Sequence, residues 1–199
     1  MTGPGLAATT RPRRGLLFVL ALLFFAPLLI AFVMYYGSHW RPLAHTNHGT
    51  LIDPARPLPA AVFLAGQPGI TPALFDGKWT LAYISDGHCD DACRRSLHFI
   101  RQTQQTLGAL IPRTQRVWVT TDHCCDADSD LPAQPALIRV DAHADEARAW
   151  LATFPSDQRA DTVFVIDPRG NLMMRYDSNA DPKGLREDLR MLLGLSHIG

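Results

Sequence analysis

Between positions 15 and 36 the chain has no charged residue, and a run of 22 uncharged, mostly apolar residues leaves few ways to fold. A helix rises about 1.5 Å per residue, so this run spans about 33 Å, enough for a hydrocarbon core of about 30 Å. A secretory signal has a shorter apolar core, about 7–15 residues, followed by a small-residue cleavage site. This run instead ends in Met34, Tyr35 and Tyr36, and it reads as an uncleaved membrane anchor with Pro27 as its candidate kink. Arg11, Arg13 and Arg14 on the N-terminal flank place that end in the cytoplasm, and Tyr35, Tyr36 and Trp40 suit the far interface as an aromatic belt. The rest of the chain, from about residue 37, is then outside the cytoplasm.

The expected organisation is a cytoplasmic N-terminus over 1–14, the anchor over 15–36, an extracytoplasmic linker over 37–60 and one domain over 61–199. For a bacterial cell this means a single-pass inner-membrane protein with its main domain in the periplasm, or the equivalent side elsewhere. Lysine and arginine total 19, matched by 19 aspartates and glutamates. With no net field to gather a polyanion, a nucleic-acid partner is not expected.

Residues 37–60 contain Gly37, Pro42, Gly49, Pro54, Pro57 and Pro59, too many breakers for a helix or a central strand, and predict an extended tether. His45 and His48 read as polar linker residues. Residues 61–64 predict a short strand, and 78–84 a buried strand rich in aromatic and branched side chains. From Asp90 the small or apolar positions Ala92, Ser96, Phe99, Ile100, Thr103 and Leu107 recur at helical spacing up to about Gly108. Strands follow at 116–120 and 136–140, then a helix at about 144–154. A hairpin of 162–166 and 171–176 turns through Asp167, Pro168, Arg169 and Gly170. Asp181 and Pro182 cap and open a last helix whose stripe is Leu185, Leu189, Leu192 and Leu193. Strands alternating with helices predict an α/β layer fold.

In such sheets, sites gather beyond the carboxyl ends of the parallel strands. The loop after Ile84 carries Cys89 and Cys93, and the loop after Thr120 carries His123, Cys124 and Cys125. A helical crossover makes the two strands parallel and puts both loops at one edge. Four-residue spacing brings Cys89 and Cys93 to one side of a helical turn, where they can share a metal ion or form a disulfide. A helix N-terminus favours the thiolate, which makes Cys89 the better nucleophile, while Asp90 and Asp91 oppose it. Two soft thiolates in an oxidising compartment favour copper(I), with zinc as competitor, and His123, Cys124 and Cys125 are candidates for a third ligand. Against this stands a purely structural Cys89–Cys93 disulfide. His88 reads as a loop residue and His98 as part of a solvated helix face.

Several segments resemble the Sco/SenC family: residues 77–84, the C-x-x-x-C of Cys89 and Cys93, Val119 to Asp122, and the stretch from Thr162 through Asp167, Pro168, Arg169 and Gly170 to Leu172. The resemblance covers roughly 60–195 and agrees with a membrane anchor. It implies a thioredoxin-like central sheet flanked by helices, and a role in assembling the copper centre of cytochrome c oxidase. In that family copper is bound by the two cysteines and a distant histidine, or the cysteines reduce those of the oxidase. The chain departs from the family where the histidine is expected, because counting back from Asp167 reaches Arg159, and a guanidinium cannot ligate copper.

The resulting expectation is a membrane-anchored metallochaperone or assembly factor rather than an enzyme. It would bind copper(I) through Cys89 and Cys93 and deliver it to the copper-bearing oxidase subunit, or exchange copper with another chaperone. A thiol–disulfide oxidoreductase acting on oxidase cysteines is the alternative, with Cys89 attacking and Cys93 resolving. The third reading is a degenerate scaffold domain whose cysteines serve only stability.

Overall fold

The computed structural model describes residues 14–37, 47–122, 134–156, 159, 161–196 and 198. The chain divides into two units, Met1–His45 and Thr46–Gly199. In the first, helix α1 (Arg14–Gly37) runs unbroken through Pro27 for 24 residues. Its stretch Leu17–Tyr36 has a mean hydropathy of 2.9 and buries none of its side chains against protein, so it is long and apolar enough to cross a membrane.

The second unit is a six-stranded sheet in the order β1-β6-β5-β2-β3-β4. Strand β1 (Thr50–Pro57) forms one edge. Strand β2 (Trp79–Ser85) leads into helix α2 (Asp91–Gln105), which returns to strand β3 (Thr114–Thr120), and strand β4 (Leu137–Asp141) is the far edge. A short helix, α3 (Arg148–Leu151), precedes the hairpin of β5 (Thr162–Ile166) and β6 (Asn171–Asp177), and α4 (Pro182–Leu195) ends the fold. Strands β2, β3 and β4 are parallel, whereas β5 lies antiparallel to β2.

Alternation along β2 splits the core in two. Ala82 and Ile84 face one layer with Phe75, Trp150, Phe154 and Phe164. Trp79, Leu81 and Tyr83 face the other, against Leu97 and Ile100 of α2 and Leu185, Leu189 and Leu193 of α4. Helix α2 buries Cys93, Ser96, Leu97, Ile100, Thr103 and Gln104, a stripe at three- and four-residue spacing. Burying each large apolar side chain contributes about 1.5–3 kcal/mol relative to exposure. A buried cation also crosses this region: Arg116 is 4% exposed, and its Nε donates to Gln104 Oε1 at 2.7 Å.

Three expectations are corrected. Part of the supposed tether is strand β1, which pairs antiparallel with β6. Proline cannot donate to a ladder, but on an edge strand half the N–H groups have no partner strand, so Pro54 and Pro57 are tolerated there. The register shifts between Leu51 and Arg56, where the cis Asp53–Pro54 peptide lies. Residues Val62–Leu64 form a 3₁₀ turn instead of a strand and bury Phe63 and Leu64. Three residues carry too little ladder to compete with that burial. The helix expected over 144–154 is shorter, a 3₁₀ turn at Asp145–Ala147 followed by α3.

Candidate functional site

Parallel pairing of Ser85 with Thr120 brings the ends of β2 and β3 to one edge of the sheet, as the helical crossover requires. The amide of Thr121 donates to Ser85 O at 2.8 Å and ties the two departing loops together. Because β5 runs the opposite way, the segment before it starts at the same edge. Arg159 is placed there, and its carbonyl accepts from Thr162 N at 3.2 Å.

The loop after β2 is held by its own side chains. Gly87 has a positive φ of 97°, and Asp86 Oδ1 accepts from His88 N at 2.9 Å. Ser85 Oγ accepts from the indole Nε1 of buried Trp118 at 2.9 Å, which anchors the loop to the core. Asp90 caps α2 by accepting from Cys93 N at 2.9 Å. Arg94 donates to Cys89 O at 2.9 Å and pairs with Asp91 at 2.7 Å, and it holds the Asp91 carboxyl below the ordinary carboxylate range.

Cys89 and Cys93 are joined as a disulfide, with their Cα atoms 4.9 Å apart. Their surroundings differ. Cys93 is fully buried in the first turn of α2, whereas Cys89 precedes the cap and is only partly covered. Cys89 is thus the more open of the two bonded cysteines.

Next to this loop lies an open cleft of about 270 Å³, lined by Tyr83, Asp86, His88, Asp90, Thr121 and Arg159 among others. Burial raises the Tyr83 phenol well above its ordinary range, helped by the carboxylates of Asp90, Asp161 and Asp86, so it is a neutral wall of the cleft. Arg159 is half-buried, and that burial lowers its affinity for a proton. Its Nη2 donates to the carbonyls of Leu151 and Phe154 at 2.8 and 3.1 Å, while its Nε is buried without a hydrogen-bond partner.

The site residues foreseen in the sequence fare differently. Cys89 and Cys93 come together, and His88 lines the cleft beside them. His98 lies exposed on α2. His123, Cys124 and Cys125 lie outside the described residues, as does His45. Among the described residues no group of three histidine, cysteine, aspartate or glutamate side chains is arranged to hold a metal ion. The cleft walls Tyr83, Asp86 and Thr121 were not singled out in the sequence, although their position at strand carboxyl ends was a usable signal.

A second polar cluster forms at His48, where the sequence predicts plain linker. Asp188, 5% exposed, accepts from His48 N at 2.8 Å, from Gly49 N at 3.2 Å, from the Tyr176 hydroxyl and from His48 Nδ1 at 3.1 Å. Burial alone would raise the Asp188 carboxyl, but these four donors bring it below its ordinary range. Space is matched as well. A Cβ on Gly49 would stand 2.3 Å from the Tyr176 ring, and one on Gly184 would stand 2.7 Å from His48 Cβ.

A mixed sheet covered on both faces, with a disulfide opening the helix that follows an interior parallel strand, defines a thioredoxin-like domain. The chain belongs to the family described as transmembrane-like, thioredoxin-like, C-terminal domain, whose model matches residues 79–196, more than half of the chain. No curated protein matches it in sequence. Among solved structures it is similar to apo Sco1 from Thermus thermophilus, at 20% identity and a TM-score of 0.56, over 75% of this chain and 99% of that one. It is also similar to copper-bound yeast Sco1, at 18% identity and a TM-score of 0.52, over 62% of this chain and 82% of that one. The resemblance to Sco proteins read from the sequence thus holds in the fold.

Proposed function

We propose that the chain is a membrane-anchored, Sco-like assembly factor of the extracytoplasmic side that acts through Cys89 and Cys93 as a thiol–disulfide reductant of cytochrome c oxidase cysteines. Helix α1 is the anchor, and its arginine flank keeps the N-terminus in the cytoplasm. The observation that carries the reading is the unequal burial of the two bonded cysteines at the start of α2. In the reduced chain the Cys89 thiolate attacks one sulfur of a partner disulfide, a mixed disulfide forms, and the partner's other sulfur leaves as a thiolate that takes up a proton. Cys93, having lost its proton to solvent, then attacks Cys89 Sγ. The partner departs as a dithiol, and the chain is left with the disulfide seen here. An external dithiol donor resets the pair.

A second reading, copper(I) delivery to the oxidase copper site, is favoured by the same proximity of two soft sulfurs and by the fold shared with a copper-bound Sco1. Two thiolates fit a linear copper(I) ion as cargo. Arg159 adds no ligand, and His123, Cys124 and Cys125 are the candidates for a third.

The test uses the full chain in detergent micelles. Exchange predicts a Cys89–Cys93 reduction potential above about −300 mV, and a mixed disulfide at Cys89 that accumulates in Cys93→Ser and is absent from Cys89→Ser. A potential below that range with no trapped adduct overturns the exchange reading. Anaerobic copper(I) titration against a chelator decides the second reading: retention lost in Cys89→Ser supports it, and no retention by the wild type refutes it.

A further inference from the structure

Arg159 is an unusual cation. It is half-buried at the edge of the cleft, the acceptors of its Nη2 are neutral carbonyls, and its buried Nε has no acceptor among the described residues. The Nε is closed to solvent and no partner reaches it, whereas Nη1 has no hydrogen-bond partner among the described residues and is not buried, so it is the N–H group of this guanidinium that can meet an acceptor from outside. Among the described residues, the carboxylates of the cleft and of the segment next to Arg159 already have partners. Asp161 pairs with Arg95 at 3.3 Å, Asp90 caps α2, and Asp86 holds the His88 amide. Among the described residues none comes within ion-pair distance of Arg159, although Asp86 and Asp90 line the same cleft. The cleft therefore holds a positive charge on the β5 side and two negative charges on the cysteine-loop side.

We propose that Arg159 is a specificity-determining residue: its guanidinium receives a carboxylate of the partner chain, placed near the disulfide that Cys89 attacks. The proposal rests on the exchange reading above and adds the class of substrate, an acidic segment flanking a cysteine pair. Asp86 and Asp90 sharpen the choice by repelling a carboxylate in the wrong register, because like charges brought together at close range are costly. Arg159 itself makes no bond in the exchange. It orients the incoming disulfide, and its hydrogen bonds to Leu151 and Phe154 fix the guanidinium for that task.

The experiment uses the full chain, reduced, in detergent micelles, and three synthetic cyclic disulfide peptides that differ only in carrying Glu, Gln or Lys two residues from the first cysteine. The readout is the ratio, between peptides within each variant, of the second-order rate constants for oxidation of the reduced chain, so that any general loss from the changed loop cancels. The wild type is expected to favour Glu over Lys by about tenfold, the size of one charge-assisted contact at a partly exposed site. Arg159→Gln brings the ratio to about one, Arg159→Glu inverts it, and Arg159→Lys, which keeps the charge but alters the fork that holds α3, retains the preference for Glu. A wild-type ratio near one, or a ratio that persists in Arg159→Gln, overturns the proposal. No reduction of any of the three peptides, or of the uncharged hydroxyethyl disulfide, by the wild type refutes the exchange reading and the inference with it; reduction without charge preference refutes the inference alone.

Discussion

Replacing Asp188 tests whether the segment after the linker is held by one buried carboxylate. The side chain accepts from two backbone amides, a phenol and an imidazole, and it sits 140 residues from His48 in sequence. Asp188→Ala leaves the Tyr176 hydroxyl and the His48 and Gly49 amides without an acceptor. Each unsatisfied buried group costs about 1–3 kcal/mol, and relaxation toward water reduces the total, so the expected loss is about 3–5 kcal/mol. Asp188→Asn keeps one acceptor oxygen and lets His48 change tautomer, so it should cost only about 1–2 kcal/mol. Urea unfolding of the full chain in micelles, followed by the fluorescence of buried Trp79, Trp118 and Trp150, measures both. An Ala variant within about 1 kcal/mol of wild type would refute the clasp, and an Asn variant as unstable as Ala would shift the explanation from hydrogen bonds to charge. The pH dependence has a definite sign. Since the folded carboxyl titrates below its unfolded value of about 3.9, its contribution is complete above that value and is lost as pH falls through the folded one. Tyr176, raised by burial and by Asp188, adds the opposite limb: its contribution is present below about pH 10 and declines as pH rises beyond it.

Gly49→Ala places a methyl inside the Tyr176 ring contact and should destabilise the domain by about 1–3 kcal/mol in the same urea assay, whereas alanine at Gly194, where no atom lies within 4 Å, should be neutral or stabilising. Asp90→Ala removes the α2 cap at the cysteine loop; about 1 kcal/mol of stability should be lost, together with protection of the Cys93 amide from hydrogen exchange. Gln104→Leu withdraws the acceptor of buried Arg116 Nε and leaves that group unpaired, an expected loss of about 1–3 kcal/mol by urea unfolding that Arg116→Met in the same background should partly recover.

Much of this molecule was legible because it is written in local pattern. The charge-free run over 15–36, the alternation in β2, the three- and four-residue stripe of α2, and the Asp90 and Asp181 caps each depend on neighbours within a turn or two, so spacing alone reports them. The Cys89–Cys93 pair belongs to the same class, since four residues across a helical start bring two sulfurs together wherever the helix lies. What the pattern could not give was any feature made by chain segments far apart. Prolines in β1 look like linker punctuation until β6 supplies the ladder on one side, and His48 looks like a polar spacer until α4 offers Asp188. Arg159 is the sharpest case. Counting residues located it as the place where a metal-binding histidine was missing, but only the antiparallel course of β5 beside β2 carries it to the cleft at the cysteine loop. Local sequence thus determined the elements and the reactive pair, through backbone periodicity and capping. Tertiary structure decided which distant charges face them, because burial and pairing depend on the packed neighbour, which no window of sequence contains.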